Sequence, residues 1–253
     1  MPNEPDDIVI RIKGVVTRFG AVTIHDGINL DVRRGEVLGV VGGSGTGKSV
    51  LLRTIIGLTR PTAGQIEVFG HDMLRLSSAE QHQLEQRWGV LFQDGALFSS
   101  LTVAQNIEVP LREHFPMPEP LMDEIAAYKI AMSGLPVDAG AKFPSELSGG
   151  MRKRAGLARA LVLEPRILLA DEPSSGLDRI TASEIDELLL SQKAEHKTAL
   201  IVVTHDVHGA RRVADRIAVL DQGRLIADGT VAEVEHSENE VARNLIGVIA
   251  NEN

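Results

Sequence analysis

Apolar and polar positions along the chain follow different periods in different stretches. Near the N-terminus Ile8, Ile10 and Ile12 alternate with Val9 and Arg11, and Ile28-Asn29-Leu30-Asp31-Val32 repeats that period of two, which predicts an antiparallel β region. Glu36 to Val41 is a short, mostly apolar run, and after a glycine-rich stretch Leu51, Leu52, Ile55 and Ile56 fall at helical spacing. Pro61-Thr62-Ala63-Gly64 reads as a turn, Gln65 to Phe69 as a strand and Val90 to Phe92 as a short strand ending at Gln93. From about Leu97 the period becomes helical: Val103, Ile107 and Leu111 share one face, as do Leu121, Ile125 and Tyr128 or Met132, with Pro116, Pro118 and Pro120 between the two helices. Ile167 to Asp171 and Ala199 to Thr204 are almost wholly apolar, as parallel strands covered on both faces are. Ile217-Ala218-Val219 and Leu225-Ile226 flank Asp221-Gln222-Gly223 as a hairpin, and Ser237 with Glu240 is a capping-box pattern before Val241, Leu245 and Ile249.

Composition narrows this picture. A length of 253 residues with 43% hydrophobic content suits one large α/β domain with an inserted lobe. The net charge of −9 argues against a general nucleic-acid binder, which needs a basic surface to displace counterions. The absence of cysteine removes disulfides, thiolate metal sites and a cysteine nucleophile, and is consistent with a cytosolic setting. The acidic stretch from Met1 to Asp7 is unlike a signal peptide, and no apolar run reaches the roughly 18 residues of a membrane span. Any work at a membrane therefore calls for another chain to span it.

The candidate chemistry starts at Gly42-Gly43-Ser44-Gly45-Thr46-Gly47-Lys48-Ser49, a G-x-x-x-x-G-K-[ST] loop between strand and helix. Backbone N–H groups must turn inward to hold phosphate oxygens, glycine permits this, and the helix offers its positive end to the anion. Lys48 is placed to reach the β- and γ-phosphates, and Ser49 to ligate Mg²⁺. Ile167-Leu168-Leu169-Ala170-Asp171-Glu172 is an apolar strand ending in two carboxylates, Asp171 for Mg²⁺ and Glu172 to polarise the attacking water. Together they predict a P-loop NTPase, with a mainly parallel sheet as its core. In sequence spacing the eight histidines form no zinc-type cluster, so Mg²⁺ is the only metal expected. Arg152-Lys153-Arg154 reads as a solvated helix face with a structural Arg154 rather than a nucleic-acid patch.

Leu147-Ser148-Gly149-Gly150-Met151 narrows the class further, because it resembles the signature motif of ABC ATPases. Gln93 resembles that family's Q-loop glutamine, Ser175-Gly176-Leu177-Asp178 its D-loop, His205 its switch histidine and Phe19 its adenine-stacking aromatic. The matching elements keep the family's order over almost the whole chain. Met151 stands where the family usually has Gln, and Gly176 where it commonly has Ala. The resemblance implies an ABC ATPase fold with an N-terminal antiparallel β subdomain and a helical subdomain at about 97–155. The domain would run over 8–236 and a helical tail over 237–253. It implies that two chains meet head to tail around two ATP molecules. Glu172, His205 and Gln93 would be catalytic, and Ser49, Gln93 and Asp171 would hold Mg²⁺. Gly42 to Ser49 and Phe19 would bind nucleotide, with Ser148, Gly149, Gly150 and Asp178 reaching it from the partner chain.

Within that family, Leu91-Phe92-Gln93-Asp94-Gly95-Ala96-Leu97-Phe98, Pro110-Leu111-Arg112-Glu113 and Met151 are similar to the ATPases of Mla-type lipid-transport systems. That likeness implies a permease pair, an MCE-domain lipid-binding protein, a STAS-domain regulator on the helical lobe and a peripheral place on the cytoplasmic face of a bacterial inner membrane. The alternatives are an amino-acid-type importer ATPase, which shares every catalytic motif, and a non-transport ABC protein. The latter usually carries two cassettes or a long coiled-coil insertion. A module that holds ATP without hydrolysis is disfavoured by the presence of both Glu172 and His205.

Overall fold

The computed structural model describes residues 7–247. Two sheets carry the chain. The first is antiparallel, in the order β2-β1-β4-β5, from β1 (Ile8–Phe19), β2 (Val22–Arg33), β4 (Ala63–Val68) and β5 (His71–Asp72). Its alternation is imperfect: a register shift between Ile8 and Ile10 lets Val9 bury alongside Ile10, where strict alternation put them on opposite faces. The expected turn at 61–64 is shorter than the sequence suggests, because Ala63 already pairs with Val16.

The second sheet has the order β10-β9-β3-β8-β7-β6. Here β3 (Val37–Val41), β6 (Trp88–Leu91), β7 (Ile167–Asp171), β8 (Ala199–Thr204) and β9 (Arg216–Asp221) run parallel, and β10 (Arg224–Gly229) closes the edge as the expected hairpin. Every residue of β3, β7 and β8 is buried, which requires cover on both faces. One face meets α1 (Lys48–Ile55) and the antiparallel sheet in a common core that includes Ile12, Ile28, Leu51, Ile66 and Ile201. The other meets α5 (Gly149–Ala160) and α6 (Arg179–His196) through Leu157, Ile185 and Leu189.

After α2 (Ser78–Glu85) and β6 the chain leaves the sheet. A helical lobe follows, built from α3 (Val103–His114), α4 (Glu119–Met132) and the first turns of α5 around Ile107, Met122, Ala126, Ile130 and Ala155. The buried face of α4 is Met122-Ala126-Ile130 rather than the expected row of Leu121, Ile125 and Tyr128 or Met132; Ile125 packs at its edge, while Leu121 and Tyr128 are exposed. Both rows have helical spacing, and the packing against α3 and α5 selects the one carrying Ala126, which allows close approach.

The chain ends with α7 (Val207–Val213), α8 (Val231–Glu235) and α9 (Glu240–Gly247). Ala242 and Ile246 of α9 pack on Val41, Ile217 and Val219 of the same chain. The expected Ser237–Glu240 capping box does not form. Asn239 Oδ1 accepts from the Ala242 N–H instead, Val241 is exposed, and Ile249 lies outside the described residues. Asn is as good an N-cap as Ser, and it stands one residue before the helix.

Candidate functional site

β3 delivers the glycine loop and α1 leaves it, so the loop sits at the C-terminal edge of the parallel strands, where open α/β sheets bind ligands. Gly47, at φ 101°, caps α1 with its backbone alone; no side chain accepts from the first N–H groups. Those donors face the loop and suit an anion. A Cβ at Gly47 would lie 2.8 Å from His25 Nε2, so glycine is required there by conformation and by space. Lys48 is buried, and its Nζ donates to the Gly42 and Gly43 carbonyls at 2.8 Å each. Burial pushes its pKa down, while the Glu172 and Asp171 charges pull it back up.

Ser49 Oγ donates to Asp171 Oδ1 at 2.8 Å, which brings strand β7 against the start of α1. Adjacent ligands of an octahedral Mg²⁺ at about 2.0–2.1 Å stand roughly 2.9 Å apart, so this hydroxyl–carboxylate pair fits a Mg²⁺ edge. Burial raises the Asp171 pKa, against the lowering effect of the Ser49 hydrogen bond.

Glu172 follows at φ 52°, a left-handed conformation rare for a side-chain-bearing residue and typical of functional strain. Its carboxylate accepts from the His205 backbone N–H at 3.0 Å, from Thr204 Oγ1 at 3.2 Å and from His205 Nδ1 at 2.7 Å. The carboxylate can only accept, so Nδ1 carries the proton. β7 and β8 are neighbours in the sheet, and this adjacency brings together residues 33 positions apart in sequence. A cavity of about 590 Å³ is lined by Ile24, Ser44, Gly45, Gly47, Lys48, Ser49, Val50, Gln93, Glu172 and His205. The arrangement can hold a phosphate chain on backbone donors and Lys48, with a carboxylate and an imidazole at the end where a water would attack.

Phe19 is not among the lining residues. It stands half-exposed at the end of β1, and Ile24 of the same hairpin reaches the cavity instead. Ser148, Gly149, Gly150 and Asp178 do not meet the loop within one chain either. Ser148 caps α5 by accepting from the Met151 N–H at 3.2 Å, and both Ser148 and Gly149 are exposed. Asp178 caps α6, and hydrogen bonds from Thr181 hold its carboxyl below its ordinary pKa.

His25 and the true role of Lys153 escaped the sequence reading, and Arg159, which matches the family pattern on α5, gains a specific contact. His25 is fully buried; its Nδ1 faces Thr17 Oγ1 and its Nε2 faces the Gly47 carbonyl, each at 3.0 Å, so it props the glycine loop from below. Burial lowers its pKa. Lys153 is no solvated residue: buried, it donates to the Glu172 carbonyl at 2.8 Å and the Ser175 carbonyl at 2.6 Å, tying α5 to the loop after β7. Arg159 grips the loop after Gln93, donating to the Gly95 and Ala96 carbonyls at 2.8 Å each. Only the groups standing opposite these side chains give their roles away, and those positions are invisible in a sequence. Arg154 is structural as expected, donating to the Ser133 carbonyl and pairing with Glu184.

Residues 25–175 match the family model described as ABC transporter. The chain is 42% identical over 242 residues to the probable ribonucleotide transport ATP-binding protein mkl of Mycobacterium leprae, covering 96% of this chain and 70% of that one. It is 38% identical over 231 residues to the intermembrane phospholipid transport system ATP-binding protein MlaF of Haemophilus influenzae, covering 91% and 87%. It is 42% identical over 221 residues to the methionine import ATP-binding protein MetN of Caulobacter vibrioides, covering 87% and 66%. An ATP-binding cassette solved as a dimer in a post-hydrolysis state with ADP and Pi superposes with a TM-score of 0.82 at 30% identity, covering 87% of this chain and 98% of that one.

Proposed function

Because the chain belongs to the ABC transporter family and hydrolyses ATP to drive transport, we propose that it powers lipid movement between bacterial membranes. In this reading its partners are a membrane-spanning permease pair and an MCE-domain lipid-binding protein. The observation that carries the proposal is Met151 in the signature together with the Leu91–Phe98 segment, supported by 38% identity to a phospholipid-transport ATPase over nearly the full length of both chains. The segment is built for docking. Leu58 and Phe98 are exposed apolar side chains, and Leu58 lines a groove of about 660 Å³ with Arg53, Phe92 and Gln93 that reaches Ser49 and Asp171. A permease segment seated there would touch the loop that carries Gln93.

Two chains meet head to tail in this proposal, each completing the other's cavity with Ser148, Gly149, Gly150 and Asp178. Glu172 takes the proton of the attacking water, and His205 holds that carboxylate and faces the γ-phosphate. Ser49, Asp171 and Gln93 would hold Mg²⁺, which when bound would offset phosphate charge. The exposed apolar groups of the helical lobe, Leu121, Tyr128, Val137 and Phe143, suit a small STAS-domain regulator. Among the described residues no helix is long and apolar enough to cross a membrane, which agrees with a peripheral place on the cytoplasmic face.

The MetN likeness supports a second reading, an amino-acid-type importer. A gentle-detergent pull-down of the tagged chain from its native membrane, with mass spectrometry of proteins and lipids, separates the two. A permease with an MCE protein and enriched phospholipid is expected. A permease with a soluble binding protein and no lipid enrichment overturns the lipid reading and leaves the ATPase in place.

A further inference from the structure

One cluster of metal-ligating side chains lies outside the nucleotide cavity and serves none of the steps above. α2 and the last turn of α3 bring His82 and His114 face to face, with ring centroids 4.4 Å apart and planes inclined at 38°. His114 Nδ1 stands 3.3 Å from His82 Nε2. Glu113 completes the group: one donor atom from each of the three residues lies within 4.8 Å of the others. Sequence spacing hid this cluster, because His82 and His114 are 32 positions apart and meet only through the fold.

The separation is informative. At 3.3 Å one ring can donate only a long hydrogen bond to the other in the metal-free chain, since N–H···O bonds settle near 2.9–3.0 Å. A tetrahedral zinc with Zn–N bonds of about 2.0–2.1 Å holds its ligand nitrogens roughly 3.3–3.4 Å apart. The two rings therefore stand at the edge length of a metal tetrahedron, each with a nitrogen turned to the shared space. The setting favours a cation: this is the C-terminal, negative end of α3, and the Glu113 carboxylate adds charge of the right sign. The nearest cation in sequence, Arg112, is turned away to Glu108 and Glu119, and the Glu85 carboxylate on α2 accepts from Gln81 Nε2.

We propose that His82, His114 and Glu113 form a surface site for a divalent transition metal of the zinc class. Three protein ligands leave one position to water, as open zinc sites do. The metal joins α2, whose chain runs directly into β6 and Gln93, to α3 of the helical lobe, and so clamps the lobe against the core. This assignment is independent of which cargo the transporter moves.

The test uses the full chain without an affinity tag, stripped of metal with a chelator. Zinc chloride is titrated by calorimetry, thermal unfolding is scanned with and without zinc, and Co²⁺ serves as a visible-absorption probe. The expected result is a single bound equivalent, a rise in Tm and a Co²⁺ spectrum of low coordination number. His82→Ala and His114→Ala each abolish all three, while His208→Ala, a surface histidine elsewhere, keeps them. Far-UV circular dichroism of the stripped variants matching the parent shows that folding is intact. Absence of binding at micromolar zinc, or binding and Tm shift that survive both histidine substitutions, overturns the site.

Discussion

The phosphate end of the parallel sheet and the start of α5 are both anion-ready helix N-termini with glycines, yet they are finished to different degrees. At the first, the side chains that anchor the cradle already have partners: Lys48 holds two carbonyls, Ser49 holds Asp171, and Glu172 accepts from Thr204 and His205. At the second, Ser148 makes one capping contact and faces outward beside an exposed Gly149. A single chain therefore builds a binding cradle and, in the proposed head-to-tail pair, displays on another surface the lid for its partner's cradle. Charge that develops on a transferring phosphoryl group is well stabilised only where donors converge on it from both sides. On that proposal the difference assigns binding to one chain and turnover to two.

The strongest way to break the cradle side is Glu172→Gln. Phosphate release should fall by about 10²–10⁴-fold, the range of a lost general base, while fluorescent-nucleotide binding persists. Unchanged turnover would remove Glu172 from that role. On the display side, Ser148→Arg should cut steady-state hydrolysis by on the order of 10²-fold, the loss expected for an oxyanion-type donor. Equilibrium binding of ATP by the monomer should be unaffected. If monomer binding is lost, the signature acts within its own chain. Lys153→Met tests the tie between the two regions. It strands the Glu172 and Ser175 carbonyls, so chemical denaturation should show a loss of about 1–3 kcal/mol, and turnover should fall with it. Phe19→Ala gives a smaller effect. If the ring stacks on adenine, KM for ATP should rise by roughly 2- to 10-fold, the equivalent of about 0.5–1.5 kcal/mol, with kcat kept. An unchanged KM leaves Phe19 as an exposed hairpin residue.

The mildest test is pH. His25 has its pKa lowered by burial from 6.5, so below that value the unfolded chain binds more protons at this position than the folded one. Stability should therefore fall as pH drops from 6.5 toward the lowered folded value and level off beneath it. His25→Gln should flatten that part of a Tm-against-pH curve. A curve of the same shape in the variant would assign the loss to other groups.

What could be read before folding was whatever is local. The glycine loop, the apolar strand ending in Asp171 and Glu172, and the hairpin at Asp221-Gln222-Gly223 each declare themselves within a dozen residues, because backbone conformation and burial pattern are set there. The row buried by α4 was not legible, since Leu121, Ile125 and Tyr128 or Met132 and the row Met122-Ala126-Ile130 both fall at helical spacing and only the neighbours α3 and α5 choose. His25, Lys153 and the His82–His114 pair were missed for a related reason. Their meaning lies in which carbonyl or ring stands opposite, across 22, 19 and 32 positions of sequence.

Lys153 has a consequence for timing. It sits on the helix whose first residues are proposed to serve the partner's nucleotide, yet its ammonium is fastened to the backbone of its own chain's Glu172 and Ser175. In the proposed head-to-tail pair the two nucleotide sites would be coupled in series, each through one lysine. If that pairing holds, occupancy at one site would be felt in the backbone that carries the other's proton acceptor, and phosphate release measured against ATP concentration should show a Hill coefficient above unity.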